Sequence, residues 1–136
     1  VVLDVRRDPR TGASSVWTHN GTRNAGVDPV TLARRLQEAG VGEIVVNSID
    51  RDGMMKGYDL DLVRGVRNAI SVPMTVLGGA GSLADIEALI RANGIVGAAA
   101  GSLFVFKGVY KAVLINYPSR TQKAAMTAAA LEATRG

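Results

Sequence analysis

Three stretches of this chain hold residue types that could do chemistry. The first is Asp4, which follows the apolar run Val1-Val2-Leu3 directly. A carboxylate at the carboxyl end of a buried strand faces the mouth of an α/β fold, where it can take up or release a proton. The plain alternative is an ordinary strand-ending Asp. The second stretch runs from Asn47 to Asp59 and includes Ser48-Ile49-Asp50-Arg51-Asp52-Gly53. Asp50 and Asp52 are two apart, so in an extended segment their side chains point the same way, although only one need reach a ligand. The third is Gly78-Gly79-Ala80-Gly81-Ser82, echoed by Ala99-Ala100-Gly101-Ser102. Without Cβ atoms, successive backbone N–H groups can converge on an anion, and a following helix N-terminus adds its positive end. Phosphate is the ligand this pattern suits, with Asp52, Gly53, Gly78, Gly79, Gly101 and Ser102 as the candidate contacts. The rival reading is that the glycines only permit tight turns.

These residues need strands and helices to position them. Glu43-Ile44-Val45-Val46 is too short for a helix and rich in β-branched residues, which reads as a buried parallel strand ending at the acidic loop. Asp59 then caps a helix over Leu60 to Ile70, with Leu62, Val63, Val66 and Ile70 as its apolar stripe. Val72 to Leu77 is a strand leading into the glycine turn. Ser82 and Asp85 form a capping box for a helix over Leu83 to Ala92. Gly94 to Ala100 is a further strand, followed by a short helix from Ser102 to Phe106 and another over Gly108 to Asn116. Upstream, Asp28-Pro29 starts a helix carrying Leu32, Leu36 and Ala39 and ending at Gly40. Ser15 to His19 before Asn20-Gly21 signals a β-hairpin inserted after the first strand. His19, the only histidine, is expected on that hairpin's surface.

The alternation is four βα units, which predicts an α/β fold with a parallel sheet and right-handed crossovers. A closed (βα)8 barrel needs roughly 250 residues, and 136 residues supply about half. The expected fold is therefore a parallel (βα)4 half-barrel, half of a TIM barrel, over residues 1–118. Residues 119–136 form an Ala-rich, helical tail of no evident chemical role. The apolar run begins at residue 1, which suggests a chain cut from something longer. Small residues before helix starts at two neighbouring strand ends also match the phosphate site that such barrels build after their last two strands.

Composition narrows the function classes. There are no cysteines, which removes disulfides and cysteine metal sites, and a lone histidine with scattered acids lacks metal-ligand spacing. No metal or other cofactor is expected. The net charge of +4 is modest, its arginines are dispersed, and aromatics make up 4%, so nucleic acid is disfavoured as a partner. No apolar run approaches the ~20 residues of a membrane span, and a soluble, cytoplasmic location is expected.

Asn47 to Asp59, Leu77 to Gly81 and Ala98 to Phe106 resemble the cyclase subunit of imidazole glycerol phosphate synthase. The resemblance covers Val1 to about Pro118 and matches the second half of that (βα)8 barrel. It implies a lyase, or cyclase, of histidine biosynthesis that uses ammonia from a partner glutaminase on a bis-phosphorylated ribulosyl substrate. Asp4 matches the family's second catalytic Asp, and Asp52, Gly53, Gly79, Gly101 and Ser102 match positions around one substrate phosphate. Asn47, Leu77, Met54-Met55 and Tyr117-Pro118 are more similar to a paralogous branch paired with amidotransferases that amidate cell-surface sugars. The first catalytic Asp of the family lies in the half not present, so the isolated chain is expected to be inactive. A different class of reading is a self-associating half-barrel, most simply a homodimer, that binds phosphate without catalysis. Its open edges and an apolar inner face carrying Val2, Val45, Val76 or their neighbours would drive that association. A nucleic-acid-binding module is the third and least favoured.

Overall fold

A computed structural model describes residues 1–108 and 110–133. The strands are β1 (Val2–Arg7), β2 (Ser14–Thr18), β3 (Arg23–Asn24), β4 (Ile44–Ser48), β5 (Met74–Leu77), β6 (Gly97–Ala98), β7 (Phe106–Lys107) and β8 (Ala112–Val113). The helices are α1 (Pro29–Glu38), α2 (Leu60–Ala69), α3 (Leu83–Asn93), α4 (Ser102–Val105) and α5 (Arg120–Ala133). The main sheet has the order β3-β2-β1-β4-β5-β6. Its strands β1, β4, β5 and β6 run parallel, while β2 and β3 form the hairpin, β2 antiparallel to β1 and β3 antiparallel to β2. This is the expected half of a TIM barrel with its hairpin insertion.

Local chemistry places the helices. Asp28 accepts a hydrogen bond from the Thr31 amide at 2.7 Å, with Pro29 in the first turn of α1. Asp59 caps α2 through the Leu62 amide, and Ser82 and Asp85 form the capping box of α3. Each helix then buries an apolar stripe against one face of the sheet. Leu3 and Val5, Ile44 and Val46, and Met74 and Val76 meet Ala33, Leu62, Val63, Val66, Ile86 and Leu89 in a single core. Neighbouring helices touch in the order α1, α2, α3, α5.

Among the described residues, no helix covers the opposite face of the sheet. Val2, Val45 and Thr75 form one cross-strand row on it, and Asp4, Asn47 and Leu77 the next. Val2 is 57% exposed, and the other five are half-buried. Parallel sheets are ordinarily covered on both faces. On β5 the neighbours of Val76 take this face, since the two-residue period turns Thr75 and Leu77 to it and buries Val76 under the helices.

One expectation changes. The helix expected over Gly108 to Asn116 is a β7–β8 hairpin, with Phe106 opposite Val113 and Lys107 opposite Ala112; Val109 lies outside the described residues. Positive φ at Gly108 (75°) and Lys111 (48°) is incompatible with a helix. No capping residue opens the segment, and Val113-Leu114-Ile115 offers no polar face. The tail is helical over Arg120–Ala133, with residues 134–136 outside the described part. It starts with a reciprocal cap, the Ser119 amide donating to Gln122 and the Gln122 amide to Ser119. The buried Met126 sets it beside α3, on the helix layer and not across the bare face. No helix among the described residues is long and apolar enough to cross a membrane.

Candidate active site

Asp4 is not the last residue of its strand. β1 continues to Arg7 because its end pairs with the hairpin, Arg6 opposite Ser15 and Arg7 opposite Ser14. Strand stagger nevertheless brings Asp4 level with Asn47, next to last in β4, and with Leu77, the last of β5. The carboxylate therefore lies on the bare face near the carboxyl ends of its neighbours. Asn47 Nδ2 donates to Asp4 Oδ1 at 2.9 Å.

Beyond this row the Arg51 to Tyr58 loop folds onto the glycine turn. The Gly57 amide donates to the Gly79 carbonyl at 2.8 Å. Gly79 has φ +112°, and a Cβ there would collide with the Gly57 carbonyl; a Cβ on Gly81 would collide with that of Met55. These two glycines are demanded by loop-on-loop packing. Asp85 already holds the start of α3, accepting from the Gly81 and Ser82 amides at 2.9 Å each. This is the capping box expected from Ser82 and Asp85, and an anion at this turn would have to use its earlier amides.

The structure sorts the candidate residues into groups. Gly78 and Gly79 are buried in the turn, whereas Asp52 and Gly53 are exposed in the loop after β4. Gly101 is exposed, and a Cβ added to it meets nothing within 4 Å; Ser102 opens the one-turn helix α4. Because β5 pairs with β6, and the Ala99 amide donates to the Val76 carbonyl, the two glycine turns stand at adjacent strand ends. Asp4 lies two strands away. His19 is exposed on the hairpin, as expected.

Several contributors were not singled out by sequence. Tyr58, only 4% exposed, donates its hydroxyl to the Ala99 carbonyl at 2.8 Å and ties the loop to the end of β6. Burial, with the Asp85 carboxylate second, pushes its phenol up to about 12. Asp59 serves more than its cap: Arg7 approaches both of its oxygens at 3.3 Å and Arg51 approaches at 3.9 Å. Asp50 accepts from Arg6 Nε at 3.2 Å and from the Arg7 amide at 2.7 Å, so it braces β1, while Asp52 is exposed in a turn and not in an extended segment. The one available signal was the two-residue period of β4, which puts Asn47 on the face of Val45 and beside Asp4.

A parallel βα sheet covered by helices on one side, with a carboxylate and glycine turns toward the strands' carboxyl ends, defines part of a TIM-type barrel. Residues 1–111 match the family described as histidine biosynthesis protein, and the chain belongs to that family. It is 53% identical over 126 residues to a Leptospira interrogans protein named provisionally as imidazole glycerol phosphate synthase subunit HisF, covering 93% of this chain and 50% of that protein. It is 52% identical over 123 residues to a Vibrio vulnificus protein named, with the same proviso, as subunit hisF3, covering 90% and 47%. Against the HisF subunit of Limosilactobacillus fermentum it is 37% identical over 105 residues, covering 77% and 40%. The chain thus spans about half the length of the first two relatives and less of the third.

Proposed function

We propose that this chain is the catalytic-Asp half of a cyclase-type barrel that uses glutamine-derived ammonia on a phosphorylated ribulosyl substrate. Asp4 is the proton-transferring group. Asp52, Gly53, Gly78, Gly79, Gly101 and Ser102 surround one phosphate of the substrate. A glutaminase or amidotransferase subunit supplies the ammonia, and the lyase chemistry belongs to the closed barrel. The observation that carries this reading is the bare face of the sheet, with a carboxylate on it at the level where βα barrels place their chemistry. The setting is histidine biosynthesis or a sugar-amidating branch; the family match supports the first, and the likeness of Asn47, Met54-Met55, Leu77 and Tyr117-Pro118 to that branch speaks for the second.

The test is turnover of the bis-phosphorylated ribulosyl substrate with ammonium, by the chain alone and by the chain fused to the complementary half of the Leptospira relative. The chain alone should be inactive and the fusion active. Asp4→Asn in the fusion should cost about 10²–10⁴ in rate, the usual worth of a general acid–base group. Full turnover by the chain alone, or a fusion indifferent to Asp4→Asn, refutes the reading. A second reading, a self-associating half-barrel that binds phosphate without catalysis, is favoured by the same bare face together with the unpaired edge of β6.

A further inference from the structure

The Asn47 amide is satisfied on one side only. Its Nδ2 donates to Asp4, while Asn47 Oδ1 is buried and has no hydrogen-bond partner among the described residues. The cross-strand neighbour on that side, Leu77, has no donor to offer. Gly78 lies beside it: a Cβ added there would collide first with the Ser48 carbonyl and would stand 3.0 Å from Asn47 Oδ1. The oxygen is closed to bulk water. A buried acceptor left in this state is costly, so something must hold the amide in its present sense. That something is the Asp4 carboxylate, which accepts and cannot donate while ionised.

We infer that Asn47 is the positioning residue for Asp4 and that its amide turns over with the Asp4 proton. This rests on Asp4 being the proton-transferring group proposed above. When Asp4 is ionised, Nδ2 points to it and Oδ1 is stranded. When Asp4 takes a proton it gains an O–H donor, and the turned amide presents Oδ1 to accept it. An Asn side chain can make either bond because its two ends occupy nearly the same volume and differ in donor and acceptor character. One residue thus holds the carboxyl group in place in both of its protonation states, as a group acting alternately as acid and base requires. The remaining neighbours do not compete. Arg6, on the same face of β1, is engaged by Asp50 and stacks on Trp17, its cation 4.5 Å from the ring centroid. Trp17 stands opposite Asp4 on β2 and uses its ring N–H on Ser15. Leu77 contributes no charge from β5.

The experiment follows the Asn47 side-chain NH2 by nuclear magnetic resonance in the purified chain, from about pH 8 to about pH 3, a range spanning ordinary carboxylate titration. The Asn47 amide signals should change with the Asp4 carboxyl carbon and share its midpoint, and Asp4→Asn should abolish the change. Signals that stay fixed while Asp4 titrates overturn the inference. In the fused barrel, Asn47→Leu should lower kcat at least tenfold with KM nearly unchanged. Asn47→Thr should recover most of that loss, because a hydroxyl also donates and accepts. An unchanged kcat in Asn47→Leu, or a Thr variant no better than Leu, overturns the positioning role. If the fusion itself is inactive, the cyclase reading fails, and the amide titration still decides the Asn47–Asp4 coupling.

Discussion

Tyr58→Phe removes one oxygen from the contact that ties the Arg51 to Tyr58 loop to the end of β6, and its cost can be worked out at two values of pH. At neutral pH the variant loses the 2.8 Å bond to Ala99 and leaves that carbonyl without its donor. Losses of this kind run to about 1–3 kcal/mol. At high pH the sign reverses. Folding raises the phenol from 10.0 to about 12, chiefly by burial, so the neutral form is the one the folded state favours. The corresponding stabilisation is complete below the unfolded value near 10 and is lost as pH rises toward 12. Two units correspond to at most roughly 2.7 kcal/mol at 1.36 kcal/mol per unit, reached only above the folded value and reduced by solvent screening. Urea unfolding at about pH 7, 9 and 11.5, monitored by circular dichroism, separates the two effects. The wild type should start more stable and lose its advantage over Tyr58→Phe above about pH 10, other alkaline titrations cancelling in the difference. Stability curves that stay parallel from pH 7 to 11.5 would refute the claim that the buried phenol is held neutral by the fold.

Gly101→Val and Gly79→Val should separate ligand binding from folding. At Gly101 there is open space around an ordinary negative φ, −98°. That variant should keep its thermal midpoint yet weaken a phosphate ester at least tenfold, about 1.4 kcal/mol, and unchanged affinity by calorimetry counts against the phosphate assignment. Gly79→Val combines a positive φ with a carbonyl clash and should instead destabilise by more than about 2 kcal/mol, visible in a melting curve; a normal melt would mean the loops part easily. Light scattering at micromolar concentration tests self-association, with a mass near twice 14.2 kDa expected and a monomeric mass defeating the half-barrel dimer.

The layered frame was legible because its signals are local. Asp28-Pro29, Asp59 and Ser82-x-x-Asp85 each mark a helix start by a hydrogen bond made within three residues. The β-branched runs at 44–46 and 74–77 mark strands by composition alone. The β7–β8 segment failed because its apolar content resembles a buried helix, while the decisive information was backbone handedness at Gly108 and Lys111. Asp4 was found by type and position, but its partner Asn47 was not, since register between β1 and β4 spans more than forty residues of chain. The glycine turn shows the opposite limit. Gly79 and Gly81 were legible as special, but the sequence could not say whether a ligand or a neighbouring loop required them; the carbonyls of Gly57 and Met55 supply the answer.

That interlock has a consequence for anyone recombining segments of this barrel. The loop from Arg51 to Tyr58 and the turn from Gly78 to Ser82 fit as paired halves of a clasp, and Tyr58 fastens them to the end of β6. A side chain introduced at Gly79 or Gly81 would meet the Gly57 or Met55 carbonyl. The two form a single cassette and should be transplanted together with residue 99. The hairpin after β1 makes its ladder contacts with β1 alone, so it is the insertion that can be swapped, shortened or lengthened on its own.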